Sequence, residues 1–310
     1  MENLATTPPL ASVSYAFLIC AATLPLVEFA ARRWHLFKIP GPLDLHSEPT
    51  PRLGGVSILL GLLVPLAISP TFLFREYRAF FAALLIVWLA GLADDVRRLL
   101  PLLRIVLQAV ASVVVWWAGW RFPLGGGWVC TLFVTVFFVV LLINAMNMLD
   151  GADGLAGGVC LVIAFGFLLC FLHIGNSRGV TLAAALLGAC LGFLLFNFPP
   201  AKIFMGDAGS HTLGFYIAFL SLEYYHRLPT PGFHWLVPVV FAAVPVLDLH
   251  FAVLRRLSKR TSPFTGDRQH FYDLLLQRGW SPRQVFFICA LGTALLISLG
   301  WLLCRRDHAA

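Results

Sequence analysis

The sequence predicts an all-α integral membrane protein, a bundle of about ten transmembrane helices with its site on the cytoplasmic face. First, 59% of the 310 residues are hydrophobic and 12% are charged, with a mean hydropathy of +0.85, a balance that soluble domains of this length do not carry. Second, the apolar runs are about 20 residues long, which crosses ~30 Å of hydrocarbon, whereas a β-barrel would show short alternating segments. Third, polar residues collect in four clusters: Asp94-Asp95, Asn144 to Gly158, Phe204 to Ser210, and the basic stretch Arg255 to Arg283. A charge at the bilayer centre costs roughly 2.5–3.5 kcal/mol on the mildest scale. Carboxylates gathered at one end of a bundle therefore point to a metal or phosphate site.

The expected spans are 11–31, 55–74, 79–95, 104–120, 128–146, 155–173, 180–198, 211–226, 233–253 and 284–304, in one polytopic domain covering 1–310. The N-terminal MENLATTPPL has no basic stretch, so the first run reads as a retained helix and not a cleaved signal. Alternation puts loops 32–54, 96–103, 147–154, 199–210 and 254–283 on one side. That side, with Arg104 at its edge, holds 15 Lys and Arg against 7 elsewhere. The positive-inside rule makes it cytoplasmic and puts both termini outside. The net charge of +7 is then a topology signal, and no nucleic-acid partner is expected. Glu28 and Arg32, like Glu223 and Arg227, are spaced as helical ion pairs near helix ends. The seven cysteines lie in or beside apolar runs without a C-x-x-C, and read as small core hydrophobes.

Asp94 and Asp95 end the third span. Adjacent carboxylates repel unless a cation or shared proton neutralises them; the bland alternative is a solvated helix end balanced by Arg97 and Arg98. Asn144, Asn147 and Asp150 recur at three-residue spacing on one helix face, where their oxygens suit a hard cation. The glycines that follow allow tight turns, and the alternative is a connector whose Asn and Asp cap the next helix. Phe204-Met205-Gly206-Asp207-Ala208-Gly209-Ser210 opens the eighth span. Helix N-termini attract phosphate, and a carboxylate there suits a bridging divalent cation, or is simply an N-cap. In the loop 254–283, Arg255, Arg256, Lys259, Arg260, Arg268 and His270 are placed to hold a diphosphate, although topology alone explains at least half of that charge.

From His46 to about Leu276 these motifs resemble the polyprenyl-phosphate N-acetylhexosamine-1-phosphate transferases of bacterial envelopes. The residues are His46-x-x-Pro49-Thr50-Pro51-Arg52-x-Gly54-Gly55, Asp94-Asp95, and the run Asn144 to Ala156. Asn197-x-x-Pro200, Phe204 to Ser210, Pro245-x-x-Asp248, and Ser262-Pro263-Phe264-x-x-Asp267-Arg268-x-His270 follow in the family's order. The resemblance implies a bundle of ten or eleven helices in the bacterial cytoplasmic (inner) membrane. It implies transfer of a sugar-1-phosphate from a UDP-HexNAc donor to a polyprenyl phosphate acceptor, releasing UMP, with Mg²⁺ as cofactor and Mn²⁺ as the alternative ion. By motif position, Asn147 and Asp207 are metal contacts. Asp94, with Asp95 beside it, faces the lipid phosphate, and Asp150 is a further catalytic carboxylate. His46, Asn144, Asp153, Asn197, Phe204, Arg268 and His270 bind substrate, with Phe204 available to stack on uracil. Direct attack and a covalent carboxylate intermediate both remain open, and a second copy of the chain is a further candidate partner.

One departure bears on the branch. The family often shows H-x-H-H where this chain has His270-Phe271-Tyr272-Asp273, and the branch that transfers phospho-MurNAc-pentapeptide has three histidines there. A branch serving O-antigen, capsule, teichoic acid or other surface glycans is therefore expected, using UDP-GlcNAc or a 6-deoxy UDP-HexNAc. Two rivals come from other classes. A secondary transporter places ionisable residues on broken helices near the midplane, whereas these lie at loop edges. An intramembrane aspartyl protease needs G-x-G-D, which fails at Phe204.

Overall fold

The computed structural model describes residues 8–38, 49–69, 74–122, 126–228, 232–262 and 267–306. His46 lies outside the described residues. The helices are α1 (Pro9–Arg33), α2 (Gly54–Ile68), α3 (Phe74–Arg97), α4 (Pro101–Trp117), α5 (Gly127–Leu149), α6 (Leu155–His173), α7 (Ser177–Asn197), α8 (Gly206–Arg227), α9 (Val237–Phe241), α10 (Ala243–Ser258), α11 (Phe271–Gln277) and α12 (Pro282–Arg306). A 3-10 turn, Phe233–Leu236, precedes α9. Two short antiparallel strands, β1 (Phe37–Lys38) and β2 (Thr50–Pro51), pair Phe37 with Pro51 and Lys38 with Thr50.

A helix stands at each of the ten expected segments, and the chain is a multi-pass membrane protein. Among the described residues, six helices are long and apolar enough to cross a bilayer: α1, α3, α5, α6, α7 and α12. The expected ninth span is not one straight helix. It bends by 65° between the 3-10 turn with α9 and α10, and counts as a seventh crossing if the pair is one span. Helices α2 and α4 are apolar but have 15 and 17 residues.

Helix α8 has the length but not the grease, and its surroundings explain why. Every residue from Ala208 to Tyr225 is buried, so α8 meets other helices on all sides and lipid on none. Its neighbours are α2, α3, α5, α6 and α7. Close approach depends on small residues: a Cβ on Gly55 would meet the Gly209 backbone, and one on Gly91 the Ala208 backbone. Small residues let helix backbones approach where lipid offers no hydrophobic drive for association.

The Glu28–Arg32 pair forms, at 2.8 Å. Glu223 does more than the expected pairing. Its 3.4 Å contact with Arg227 is joined by donors from Trp120 Nε1 at 2.7 Å, Asn176 Nδ2 at 3.0 Å and Tyr77 Oη at 3.1 Å. All seven cysteines are free thiols, and all but Cys130 are buried.

Candidate active site

The N-terminus of α8 is the centre of the site. Its first N–H groups have no partner within the helix, and the N-cap residue Met205 offers no side-chain acceptor. Asp95 of α3 takes that role. Its Oδ1 accepts from Asp207 N at 2.8 Å and its Oδ2 from Ala208 N at 2.9 Å. A carboxylate at this end also complements the helix dipole. Gly206 is required here. Its φ is +70°, and a Cβ would lie 2.5 Å from Asp95 Oδ2.

Adjacent residues on a helix point about 100° apart, so Asp94 faces a different way. Its Oδ1 accepts from Leu99 N, and Arg104 Nη1 holds its Oδ2 at 2.8 Å. The same guanidinium lies 3.8 Å from Asp207 Oδ2, so Arg104 bridges the two carboxylates. Arg52 arrives from the opposite flank, 2.9 Å from Asp95 Oδ1 and 3.1 Å from Asp207 Oδ1. Backbone bonds hold it there: Phe204 N to Pro51 O, Gly54 N to Phe204 O and Gly55 N to Met205 O, each 2.9 Å. The Arg52 guanidinium is half-buried, and its partial desolvation opposes its charge, but Asp207, Asp95, Asp150 and Asp94 raise its pKa above the ordinary arginine value.

The α5 face supplies the third side. Asn147 Nδ2 donates to Asp207 Oδ1 at 2.8 Å and to Ser210 Oγ at 3.0 Å. Asn144, one turn earlier, is turned away: its Nδ2 donates to Gln108 Oε1 at 2.7 Å and Val140 O at 2.8 Å. Asp150 is the C-cap residue of α5, half-buried, and its charge reaches Arg52. Thus Asp94, Asp95, Asn147 and Asp207 converge, with Asp150 at the rim.

Asp153 and Asn197 are placed as braces between loops. Asp153 Oδ2 accepts from Ala201 N at 2.9 Å. Asn197 accepts from Gly154 N at 3.0 Å and donates to Ile203 O at 2.8 Å. They join the α5–α6 turn to the segment leading into Phe204, whose ring is half-buried.

The basic loop forms a second network. Asp267 accepts from Arg255 Nη2 at 3.0 Å and Arg256 Nη2 at 2.8 Å. His270 is buried, with Nδ1 2.7 Å from Asp248 Oδ2 and Nε2 3.4 Å from Arg256 Nη2. Both ring nitrogens are therefore engaged inside the protein. Arg268 is half-buried beside it, its carbonyl accepting from Gln277. Tyr272 stacks on His270 with centroids 5.3 Å apart at 11°, and Asp273 Oδ2 accepts from His270 N at 3.2 Å.

Sequence reasoning passed over Arg52, Arg104, Gln108 and Ser210 as site residues. Arg52 sits inside a quoted motif, and Arg104 follows the carboxylate pair across a tight hairpin. In both, the positive-inside rule already accounted for the charge. Among the described residues, no three His, Cys, Asp or Glu side chains form a cluster able to hold a metal alone. The donor set at this point is the Asp207 carboxylate with the Asn147 amide, and Asp94 stands next to it, held by Arg104. That fits Mg²⁺, which is usually held by one or two carboxylates plus substrate phosphates and not by an all-protein cage.

The profile of glycosyl transferase family 4 matches residues 77–225, which contain Asp94, Asn147 and Asp207. The undecaprenyl-phosphate α-N-acetylglucosaminyl 1-phosphate transferase of Escherichia coli is 32% identical over 304 residues, 92% of this chain and 81% of its own length. The decaprenyl-phosphate N-acetylglucosaminephosphotransferase of Mycobacterium tuberculosis is 32% identical over 318 residues, 90% of this chain and 78% of its own. A probable undecaprenyl-phosphate N-acetylglucosaminyl 1-phosphate transferase of Bacillus subtilis is 29% identical over 300 residues, 91% of this chain and 83% of its own. With 32% identity to such relatives over 90% or more of its length, the chain belongs to glycosyl transferase family 4, among the polyprenyl-phosphate N-acetylhexosamine-1-phosphate transferases.

Proposed function

We propose that the chain transfers N-acetylhexosamine-1-phosphate from a UDP-sugar to polyprenyl phosphate, releasing UMP and starting a lipid-linked surface glycan. The single observation that carries the reading is the ring of Asp94, Asn147, Arg52 and Arg104 around Asp207. It gathers oxygen ligands and guanidinium groups where a diphosphate and a lipid phosphate have to meet. UDP-GlcNAc is the first donor expected, because the relatives' names specify N-acetylglucosamine; a 6-deoxy UDP-HexNAc is the second.

The bond-making is a phosphoryl-type displacement. An oxygen of the lipid phosphate attacks the sugar-bearing phosphorus of the donor. The bond from that phosphorus to the bridging oxygen breaks, and UMP leaves with the oxygen. Such transfers depend on positioning and charge neutralisation more than on covalent help from the protein. Mg²⁺ held by Asp207 and Asn147 would supply charge neutralisation on the diphosphate. Arg52 and Arg104 can exchange a carboxylate partner for a phosphate oxygen without leaving the site, since guanidinium forks suit both. Asp94 is pinned by Leu99 N–H and Arg104, which suits a group that orients the lipid phosphate. Those hydrogen bonds also weaken a carboxylate as a nucleophile, which favours direct attack over a covalent intermediate. Asp95, committed to α8, is a positioning residue.

Ten crossings with the site on the cytoplasmic side of a bacterial inner membrane fit this chemistry, because UDP-sugars are cytoplasmic. The division of 15 basic residues against 7 supports that orientation. The test is a panel of UDP-HexNAc donors given to purified protein with polyprenyl phosphate and Mg²⁺, scored by UMP release and by the mass of the lipid product. Product from one donor at least is expected. No UMP release from any of them would overturn the reading.

A further inference from the structure

The segment that replaces the family's histidine run does something specific. Tyr272 is 3% exposed, and its hydroxyl donates to Met148 O at 3.1 Å. Met148 belongs to the last turn of α5, whose carbonyls have no acceptor role left within the helix. The phenol therefore caps α5 from outside, two residues from Asp150 and in the helix that carries Asn147. The same ring lies against Gly151, where a Cβ would collide with the Tyr272 hydroxyl and ring. Its other face stacks on His270, which Asp248 and Arg256 hold. Burial, then Asp273, Asp248 and Asp150, keeps the phenol pKa well above its ordinary value, so it remains a donor. Asp273 closes the arrangement as the N3 partner of a capping box on α11.

We propose that Tyr272 is a positioning residue that latches the basic loop onto the α5–α6 turn, and that the Tyr272–Gly151 contact sets how far the loop's arginines stand from the Asp207 centre. The inference rests on the reading of the site as a UDP-sugar transferase, and it assigns donor handling to a contact in the folded protein. A histidine at 272 would be shorter and would not reach Met148 O in the same pose. A chain with tyrosine there thus needs glycine at 151, and holds its basic loop at a distance of its own.

The test uses the full-length protein in detergent with polyprenyl phosphate and the best UDP-HexNAc. In Tyr272→Phe the ring and its stacking remain, and one hydrogen bond is lost. Donor KM should rise about three- to tenfold, the scale of one hydrogen bond, while acceptor KM and Tm stay unchanged. Hydrogen–deuterium exchange of the peptide spanning 144–154 should increase, a readout independent of activity. Gly151→Ala should impair the donor step more than Tyr272→Phe does, and Gly151→Ala/Tyr272→Ala should be no worse than Tyr272→Ala alone, because the collision is gone. Unchanged donor KM and unchanged exchange in Tyr272→Phe, or additive losses in the double variant, would overturn the latch. Failure of the wild-type chain to use any UDP-sugar would instead remove the transferase reading, and the exchange measurement would still decide whether the latch exists.

Discussion

The two ends of α8 each carry a carboxylate, sixteen residues apart, and the protein treats them in opposite ways. Sixteen residues of helix separate them by about 24 Å. Glu223 is sealed: it is 1% exposed and saturated by Trp120, Asn176 and Tyr77 as well as Arg227. Three of those donors are neutral groups from other elements, and one of them, Asn176, is itself fixed as the N-cap of α7. Asp207 is held mainly by groups with other options. Arg52 is shared with Asp95, Arg104 with Asp94, and Asn147 with Ser210. A buried charge paired with fixed neutral donors locks helices together. A charge paired with shared cations is ready to trade them for a substrate's phosphates. The difference separates a structural carboxylate from a chemical one on a single helix.

The largest expected effect that sharpens this contrast is at the sealed end. Glu223→Ala leaves buried donors of Tyr77, Trp120 and Asn176 unsatisfied and should cost about 3 kcal/mol of stability. It would be read as a fall in thermal midpoint in detergent, with turnover per folded molecule retained. Arg104→Gln addresses the other end. It should leave the midpoint close to wild type and lower kcat/KM by about 10²-fold, the scale of removing one preorganised donor of a charged transition state. Gly206→Ala joins both properties, since a Cβ would strain a φ of +70° and displace Asp95. A loss of about 1–2 kcal/mol with a parallel loss of activity is expected.

The smallest effect concerns pH. Burial opposes ionisation of Asp267, but hydrogen bonds from Arg256 and Arg255, and their charges, hold its carboxyl below the ordinary value. A lowered carboxylate pKa stabilises the fold fully above the unfolded-state value, and that contribution fades as pH falls through the folded value. The contribution of Asp267 to the thermal midpoint should therefore be constant with pH near neutrality and decline only at more acid pH. In Asp267→Asn that part of the acid decline should be absent.

How much of this was readable beforehand depends on whether a residue's partner is near in sequence. Asp94, Asn147 and Asp207 stood out because carboxylates and amides are scarce in so apolar a chain, and each falls at a helix end. The helices themselves followed from the length of the apolar runs, except where packing overrode composition. The break at Phe241–Ala243 divides a run that reads as one span, and α8 is less apolar because it meets only protein. Adjacent Asp94 and Asp95 look alike in sequence, yet the helical turn sends one to Arg104 and the other to the α8 N-terminus. Glu223 was read as an i,i+4 pair because its three neutral donors lie 47 to 146 residues away. Arg52 and Arg104 were hidden by an adequate topological reason for their charge. Tyr272 marked a departure in the sequence, but its partner Gly151 is visible only in the fold.

The most direct test compares Asp207→Asn with Glu223→Gln in one detergent preparation, measuring transfer of labelled sugar-1-phosphate from UDP-HexNAc to polyprenyl phosphate with Mg²⁺, per folded molecule. Asp207→Asn should abolish transfer with its thermal midpoint preserved, and Glu223→Gln should lower the midpoint with transfer preserved. Full transfer by folded Asp207→Asn would contradict the assignment of the α8 N-terminus as the centre of the chemistry.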